Sequence, residues 1–370
     1  MDYMEQALSL AKLAMGQVSP NPAVGAVIVN GEEVVGQGYT QPPGSAHAEI
    51  VALKQAGERA RGGILYVTLE PCCHFGRTPP CTQAVISAGI KEVHLATLDP
   101  NPVVCQKGKT ELEREGIRTY VGEHEQEARE IIEAYVKFMA TGIPFVTVKF
   151  AMSLDGKIAT HTGDSYWITG EEARRQVQNL RYTHDAIMVG ANTVLADNPH
   201  LTVRSHLTGG RTKKQPLRVI IDVKGRTPPS AQLFHEPGRT LIALGESVKP
   251  EMRLAYGQSG AELAEFPSFN GMLDLKPVLE TLGQRQITSV LVEGGGILVG
   301  SLFDAGLVDK VVAFIAPTII GGQGAKTPVG GVGVSKVAES LRLERMRVRQ
   351  FGEDIMVTGY IPRERVAIQY

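Results

Sequence analysis

A chain of 370 residues is too long for one ordinary hydrophobic core and points to roughly two to three domains. With 43% hydrophobic and 21% charged residues and a formal net charge of −1, it is neither a disordered polymer nor a strongly basic phosphate-backbone binder. Four cysteines exclude a secreted disulfide scaffold. No basic segment leads into an apolar one at the N-terminus, and the most apolar late stretch, VVAFIAPTII, is broken by Pro317. A protein of the reducing cytoplasm, with no membrane span, is expected.

In chain order, DYMEQALSLAKLAM carries Met4, Ala7, Leu8 and Ala11 near a period of 3.6 and predicts a helix, with Asp2 and Glu5 as a capping box. AVGAVIVNGEEVVGQGY predicts a hairpin whose tight turn is Asn30-Gly31. AHAEIVALKQAGERA predicts a helix with His47 and Glu49 in its first turn, GILYVTLE a buried strand, CTQAVISAGI a helix opening at Cys81, and EVHLATLDP a strand. Helix KTELEREG, strand IRTYVG and one long helix over EQEAREIIEAYVKFMATG complete a layered α/β unit. Gly142 and Pro144 then punctuate the chain, so the first domain is placed at 1–143 and a second at 144–370. The second opens with the strand-bearing stretch FVTVKFAMSLDGKIA and reads as further strands at AIMVG, LRVIIDV, RTLIALG, SVLVEGG, KVVAFIAP and DIMVTGYIP, with helices at EEARRQVQNLRY, LKPVLETLG and ILVGSLFDAG.

Three of the four cysteines, Cys72, Cys73 and Cys81, crowd into LEPCCHFGRTPPC. Together with His47 and Glu49 this makes His-x-Glu, then Pro-Cys, eight residues and a second Cys. One imidazole and two thiolates suit catalytic zinc, whose fourth position is left to water. Water acidified to a pKa of about 7 needs a base to take its proton and return it to the substrate, a role for Glu49. A structural site with Cys73 or His74 as fourth ligand is the alternative, and it leaves Glu49 without a role. His74 and Arg77 sit where a substrate would approach, or simply pack the loop. Asn21, between two prolines, either binds a flat polar ring or makes a turn.

PNPAVGAVIV, HAE, TLEPCCHFGRTPPC and DPNP together resemble the bifunctional riboflavin-biosynthesis deaminase/reductase family of bacteria. The resemblance implies a cytidine-deaminase-like three-layer α/β/α domain followed by a dihydrofolate-reductase-like α/β domain. It also implies zinc on His47, Cys72 and Cys81, with Glu49 as acid/base. Two positions depart from that pattern: Cys73 replaces a usual serine, and CQKGK after DPNP lacks a glycine usually found there.

In the second half, VEGGGILVGSLF carries a strand into Gly294, Gly295 and Gly296 and on into a helix, an arrangement that lets backbone N–H groups approach a phosphate or simply makes a tight turn. SLDGKIA, GDSYWIT, NTVLADNPHLTVR and VEGGGILVGSLF resemble the reductase half of the same family, in order. By that resemblance Ala151, Trp167, Thr193, Asp197 and Gly295, Gly296, Ile297, Leu298, Val299, Gly300 and Ser301 line an NADPH site. The same resemblance implies that Ser165, Arg181, Leu201, Arg204 and Glu293 contact the pyrimidine ribotide. The guanidinium forks of Arg181 and Arg204 suit a phosphate monoester. Lys149, Asp197 and Glu293 are the candidate proton donors or electrostatic stabilisers, though Lys149 also reads as a strand-end surface lysine and Asp197 as a turn cap.

The expectation is a two-step enzyme: zinc-dependent deamination of a diaminopyrimidine ribosylamino phosphate, then NADPH-dependent reduction of its ribose to ribityl. No nucleic-acid or membrane partner and a homo-oligomeric state are expected. A nucleic-acid-editing zinc deaminase with a C-terminal binding module is the rival, and it predicts a basic, aromatic-rich second half; the aromatic content is only 6%.

Overall fold

The computed structural model describes residues 2–75, 79–101, 104–204 and 215–362. The chain divides into two compact units, Met1–Gly142 and Ile143–Gln369.

The first unit runs α1 (Tyr3–Ala14), β1 (Gly25–Asn30), β2 (Glu33–Tyr39), α2 (Ala48–Ala56), β3 (Ile64–Val67), α3 (Cys81–Ser87), β4 (Glu92–Leu95), α4 (Lys107–Arg114), β5 (Arg118–Val121), α5 (Glu125–Ile131) and α6 (Glu133–Thr141). Its sheet is ordered β2-β1-β3-β4-β5, antiparallel across β2-β1-β3 and parallel from β3 to β5. Alternation along β1 sends Val27 and Val29 toward Met4, Ala7 and Leu8 of α1, and Ala26 and Ile28 toward Ala48, Ala52 and Ala56 of α2. Helices therefore cover both faces, giving three layers.

Asp2 caps α1 as expected, its carboxylate accepting from the Glu5 amide at 2.8 Å. The hairpin turn is displaced by one residue. Asn30 pairs with Glu33, so Gly31 and Glu32 form the loop, and Gly31 alone takes the positive φ of 63°. Asn30 instead donates through Nδ2 to the carbonyls of Arg59 and Arg61 at 2.8 and 3.2 Å. The expected long last helix is broken at Ile132 (φ −106°, ψ 17°), which separates α5 from α6. The CQKGK departure has a visible backbone consequence: Gln106, the residue before α4, takes φ +60°, a conformation in which glycine is at ease and other residues are strained.

The second unit runs β6 (Phe145–Ser153), α7 (Glu171–Thr183), β7 (Ala186–Gly190), α8 (Ala191–Asp197), β8 (Leu217–Asp222), β9 (Thr240–Gly245), α9 (Pro250–Gln258), β10 (Glu262–Phe266), β11 (Ser268–Phe269), β12 (Met272–Leu273), α10 (Leu275–Gln284), β13 (Ser289–Val292), α11 (Gly296–Asp304), β14 (Lys310–Ala316), β15 (Glu344–Phe351) and β16 (Asp354–Tyr360). Nine strands are ordered β10-β9-β8-β7-β13-β6-β14-β16-β15. They are parallel from β10 to β14, and β16 and β15 are added antiparallel. Val146, Met188, Val219 and Val290 pack on α10 and α11, while Ile187, Ile220 and Leu244 pack with Val194 of α8 and Tyr256 of α9 on the other face. All seven expected strands and three expected helices are present. Helices α8 and α9 and strands β10, β11, β12 and β15 are additional, β15 being exposed along nearly its whole length.

Candidate active sites

In the first unit, β2 allows α2 an unusually close approach. A Cβ on Gly36 would fall 2.2 Å from the Ala52 carbonyl oxygen, and one on Gly38 2.6 Å from that of Ala48. That packing fixes His47 at the N-cap of α2 and Glu49 in its first turn, where Glu49 is 4% exposed. Cys81 opens α3, and its amide donates to Cys72 Sγ at 3.5 Å. His47 Nδ1 lies 3.6 Å from Cys72 Sγ and 3.3 Å from Cys81 Sγ. Zinc bonds of about 2.1 Å to nitrogen and 2.3 Å to sulfur, at a tetrahedral angle, would set nitrogen and sulfur about 3.6 Å apart. The three side chains thus converge with the donor set and spacing that zinc takes.

Hydrogen bonding to Cys81 is the main cause that pulls the Cys72 thiol down to about 4, with His47 adding to it, and the same hydrogen bond pushes the Cys81 thiol up. Burial raises the Glu49 carboxyl above the usual range. Cys73 is half-buried, its thiol raised by burial. His74 Nδ1 is buried and has no hydrogen-bond partner among the described residues. Asn21 closes a turn through its amide, bonded to the Val18 carbonyl at 2.9 Å. Arg77 lies outside the described residues. The sequence reading missed Glu70, 3% exposed, whose carboxylate accepts from the amides of Asp99, Gln106 and Lys109 at 3.1, 3.0 and 3.0 Å. It ties the cysteine loop to the DPNP loop, with Gly108 forced by the Pro71 carbonyl 2.2 Å from its Cβ position.

In the second unit, Lys149, Arg181 and Glu293 come together. Glu293 accepts from Arg181 Nε at 2.6 Å and Nη2 at 3.1 Å, and Lys149 Nζ lies 3.5 Å from its Oε2. Lys149 is therefore a half-buried mid-strand lysine and not the surface one the sequence also allowed. The Arg181 fork, expected on a phosphate, is engaged by Glu293, with Nη1 on the Thr202 carbonyl at 3.2 Å. Ser165 Oγ donates to Asp197 Oδ1 at 3.1 Å. Trp167 is exposed and left-handed at φ 60°, with the Arg174 guanidinium 4.0 Å over its ring. Arg204 is exposed, its amide held by Gln178 at 3.0 Å.

A cleft of about 530 Å3 opens at the carboxyl ends of β7, β8 and β13, within the roughly 300–1,000 Å3 typical of ligand pockets. Thr193, Gly295, Gly296, Ile297, Leu298 and Ser301 line it. Ala151, Trp167, Asp197, Val299 and Gly300 do not. Val299 is fully buried in the core, and Ala151 packs against the Phe314 cluster. Leu201 is likewise buried with Val189 and Ile220, so only its backbone can meet a ligand. Gly296 and Gly300 have a reason other than phosphate approach: Cβ atoms there would lie 2.6 Å from the Thr327 carbonyl oxygen and 2.3 Å from the Gly330 carbonyl carbon, so these glycines admit a second chain segment across α11. Sequence reading also passed over Lys224, Arg226 and Lys326, which line the cleft; their one signal is a pair of cations directly after an apolar strand.

Two family descriptions match the chain: the cytidine and deoxycytidylate deaminase zinc-binding region over residues 1–97, and the RibD C-terminal domain over residues 144–357. The chain is 44% identical over 358 residues to the riboflavin biosynthesis protein RibD of Aquifex aeolicus (strain VF5), covering 96% of this chain and 97% of the relative. To the protein of the same name from Escherichia coli (strain K12) it is 40% identical over 361 residues, covering 95% and 97%. A solved Thermotoga maritima diaminohydroxyphosphoribosylaminopyrimidine deaminase/5-amino-6-(5-phosphoribosylamino)uracil reductase is similar at TM-score 0.84 and 35% identity over 97% of this chain and 98% of that one. Acinetobacter baumannii RibD, form 1, gives 0.85 and 37% over 98% of each.

Proposed function

This chain belongs to the RibD family of riboflavin-biosynthesis proteins, and we propose on that footing which of its residues carry each of the family's two reactions. It is a bifunctional enzyme, a zinc-dependent deaminase and an NADPH-dependent reductase. Residues 1–143 carry the deaminase and 144–370 the reductase. The substrate is 2,5-diamino-6-ribosylamino-4(3H)-pyrimidinone 5′-phosphate.

The convergence of His47 Nδ1 with Cys72 and Cys81 Sγ beside buried Glu49 carries the deaminase reading. His47, Cys72 and Cys81 hold zinc, which when bound acidifies a water. Glu49 accepts one proton from the attacking water and delivers it to the ring nitrogen, then takes the proton of the newly added hydroxyl and passes it to the amine, so that the carbonyl forms as the C–N bond breaks and ammonia leaves. Burial favours a carboxyl that is neutral between these transfers. His74, with its unpartnered ring nitrogen, and Asn21 and Arg77 orient the pyrimidine.

In the reductase the cleft, cationic and without an acid among its described lining residues, suits a phosphate-rich cofactor, and NADPH supplies the hydride for the ribose carbon. Lys149 donates the proton that accompanies ribose opening. Glu293, held down to about 2 by Arg181 and Lys149 against the upward push of burial, stays ionised and serves as an electrostatic anchor. Arg204 takes the ribotide phosphate, and Ser165 with Asp197 flanks the substrate. Thr193 and the turn at Gly295 contact the cofactor.

No helix among the described residues is long and apolar enough to cross a membrane. A cytoplasmic location, a homo-oligomeric state and the absence of a nucleic-acid partner belong to the same proposal. Mass analysis of products from the zinc-loaded chain, with and without NADPH, tests it. Deaminated product without cofactor and deaminated, reduced product with it are expected; deamination alone in both arms overturns the reductase assignments.

A further inference from the structure

One helix, α4, holds both of the segments that carry the two cysteines of the candidate zinc site. Cys81 opens α3, whereas Cys72 lies five residues beyond the end of β3, in a stretch with no strand or helix of its own. Glu70, two residues before Cys72, reaches the N-terminal end of α4. Its carboxylate accepts from the amides of Gln106 and Lys109, each at 3.0 Å, as well as from that of Asp99. Further along the same helix, Glu111 accepts from Thr82 Oγ1 at 2.8 Å and from Gln83 Nε2, the two residues that follow Cys81. The anchored segments also meet directly, the Thr82 amide donating to the Cys72 carbonyl at 3.2 Å.

The Glu70 anchor has little slack. Its carboxylate is buried, and three amide donors compensate the buried charge, two of them at the positive end of α4. Only Pro71 stands between Glu70 and Cys72. Its ring restricts φ, and its carbonyl oxygen lies 2.2 Å from where a Cβ on Gly108 of α4 would be. A shift of the Glu70 carboxylate is therefore passed on to Cys72. Zinc demands ligand distances within about 0.2 Å of ideal, so its affinity registers displacements of this size. Glu70 and Glu111 stand outside the donor set itself, which among the described residues is His47, Cys72 and Cys81.

We propose that Glu70 and Glu111 are positioning residues of the deaminase: by anchoring the two cysteine segments to α4 they set the spacing of the Cys72 and Cys81 sulfurs, and with it how tightly the chain holds zinc. The proposal rests on the deaminase reading and adds what places the ligands.

Competition of the full chain with a chromophoric chelator for zinc tests it, together with the absorption spectrum of Co2+ bound in place of zinc, which reports ligand geometry. Urea midpoints of the metal-free chain are the folding control. Glu70→Gln, which turns an amide group toward amide donors, and Glu111→Ala are each expected to weaken zinc binding about 10–100-fold, the range for groups that orient metal ligands, and to alter the Co2+ bands. Glu111→Gln still offers Thr82 an oxygen and is expected to keep most of the affinity. Glu113→Gln on the same helix, whose carboxylate meets Lys109 Nζ and Thr119, is expected to leave zinc binding unchanged. If Glu70→Gln does not fold, the Glu111 pair of variants decides. Unchanged zinc affinity and Co2+ spectrum in a folded Glu111→Ala chain overturns the proposal. Equal weakening by Glu113→Gln assigns the effect to the stability of α4 and overturns it as well. A wild-type chain that binds neither zinc nor Co2+ overturns the underlying deaminase reading instead.

Discussion

Arg181 and Glu293, 112 residues apart in sequence, meet as a two-pronged buried ion pair, Nε on Oε1 at 2.6 Å and Nη2 on Oε2 at 3.1 Å. The pair fixes Glu293 next to Lys149, whose Nζ lies 3.5 Å from its Oε2, and supports the proposed division of roles between them. A carboxyl held at about 2 cannot donate at neutral pH, whereas Lys149, whose ammonium is disfavoured by burial, can.

Glu293→Gln would strand Arg181 and Lys149 without their shared anion, at a cost of about 3–5 kcal/mol in stability. Urea denaturation reads this directly. The pH dependence gives a second readout. The folded pKa of Glu293 is depressed from 4.5 to about 2, so its contribution is fully present above about pH 4.5 and is lost as pH falls toward 2. Wild type should show that acid slope and Glu293→Gln should lack this group's share of it; identical slopes would contradict the ion-pair account.

Lys149→Met should lower the reductase kcat about 10²–10⁴-fold, the range for losing a general acid, while NADPH still binds and deamination continues. Because burial lowers the Lys149 pKa from 10.5, wild-type kcat should fall as pH rises through that lowered value. A variant with normal kcat would remove Lys149 from the chemistry.

The convergence of His47, Cys72 and Cys81 was legible because these residues fall in two short stretches whose spacing is itself chemical, His47-x-Glu49 and Cys72 with Cys81. The strands were legible where burial writes itself as apolar runs, as in Leu217–Asp222 and Ser289–Val292. Strand β15 was not, since exposure along nearly its whole length leaves ERMRVRQF without an apolar face. Apolar periodicity runs on through Ile132, so the break between α5 and α6 left no local mark. The Arg181–Glu293 pair is invisible locally because neither residue's neighbourhood encodes a partner so distant in sequence. For Gly296 and Gly300 the composition was readable but the cause was not, since a crossing chain segment and a phosphate call for the same residue.

Glu49→Gln keeps the shape of the side chain and removes its proton-carrying function. Deamination should fall at least about 10²-fold while one zinc per chain remains by elemental analysis. Loss of the metal along with activity would instead place Glu49 in holding the site together.

Gln106→Gly isolates the cost of the backbone at the CQKGK departure. A non-glycine residue in the left-handed region costs about 1–2 kcal/mol, and a glycine gives back roughly 0.5–1 kcal/mol of that through the freedom it adds to the unfolded chain. The Gln106 amide donates to Glu70 Oε2 at 3.0 Å, a bond that any residue except proline preserves, so the substitution disturbs nothing else in the Glu70 tether. The variant should therefore be more stable by about 0.5–1 kcal/mol, read as a higher midpoint in urea at unchanged slope. Deaminase activity should be retained, because the carboxylate of Glu70 still joins the cysteine loop to the segment carrying Asp99. A lower midpoint would mean that the Gln106 side chain contributes contacts that outweigh its backbone strain.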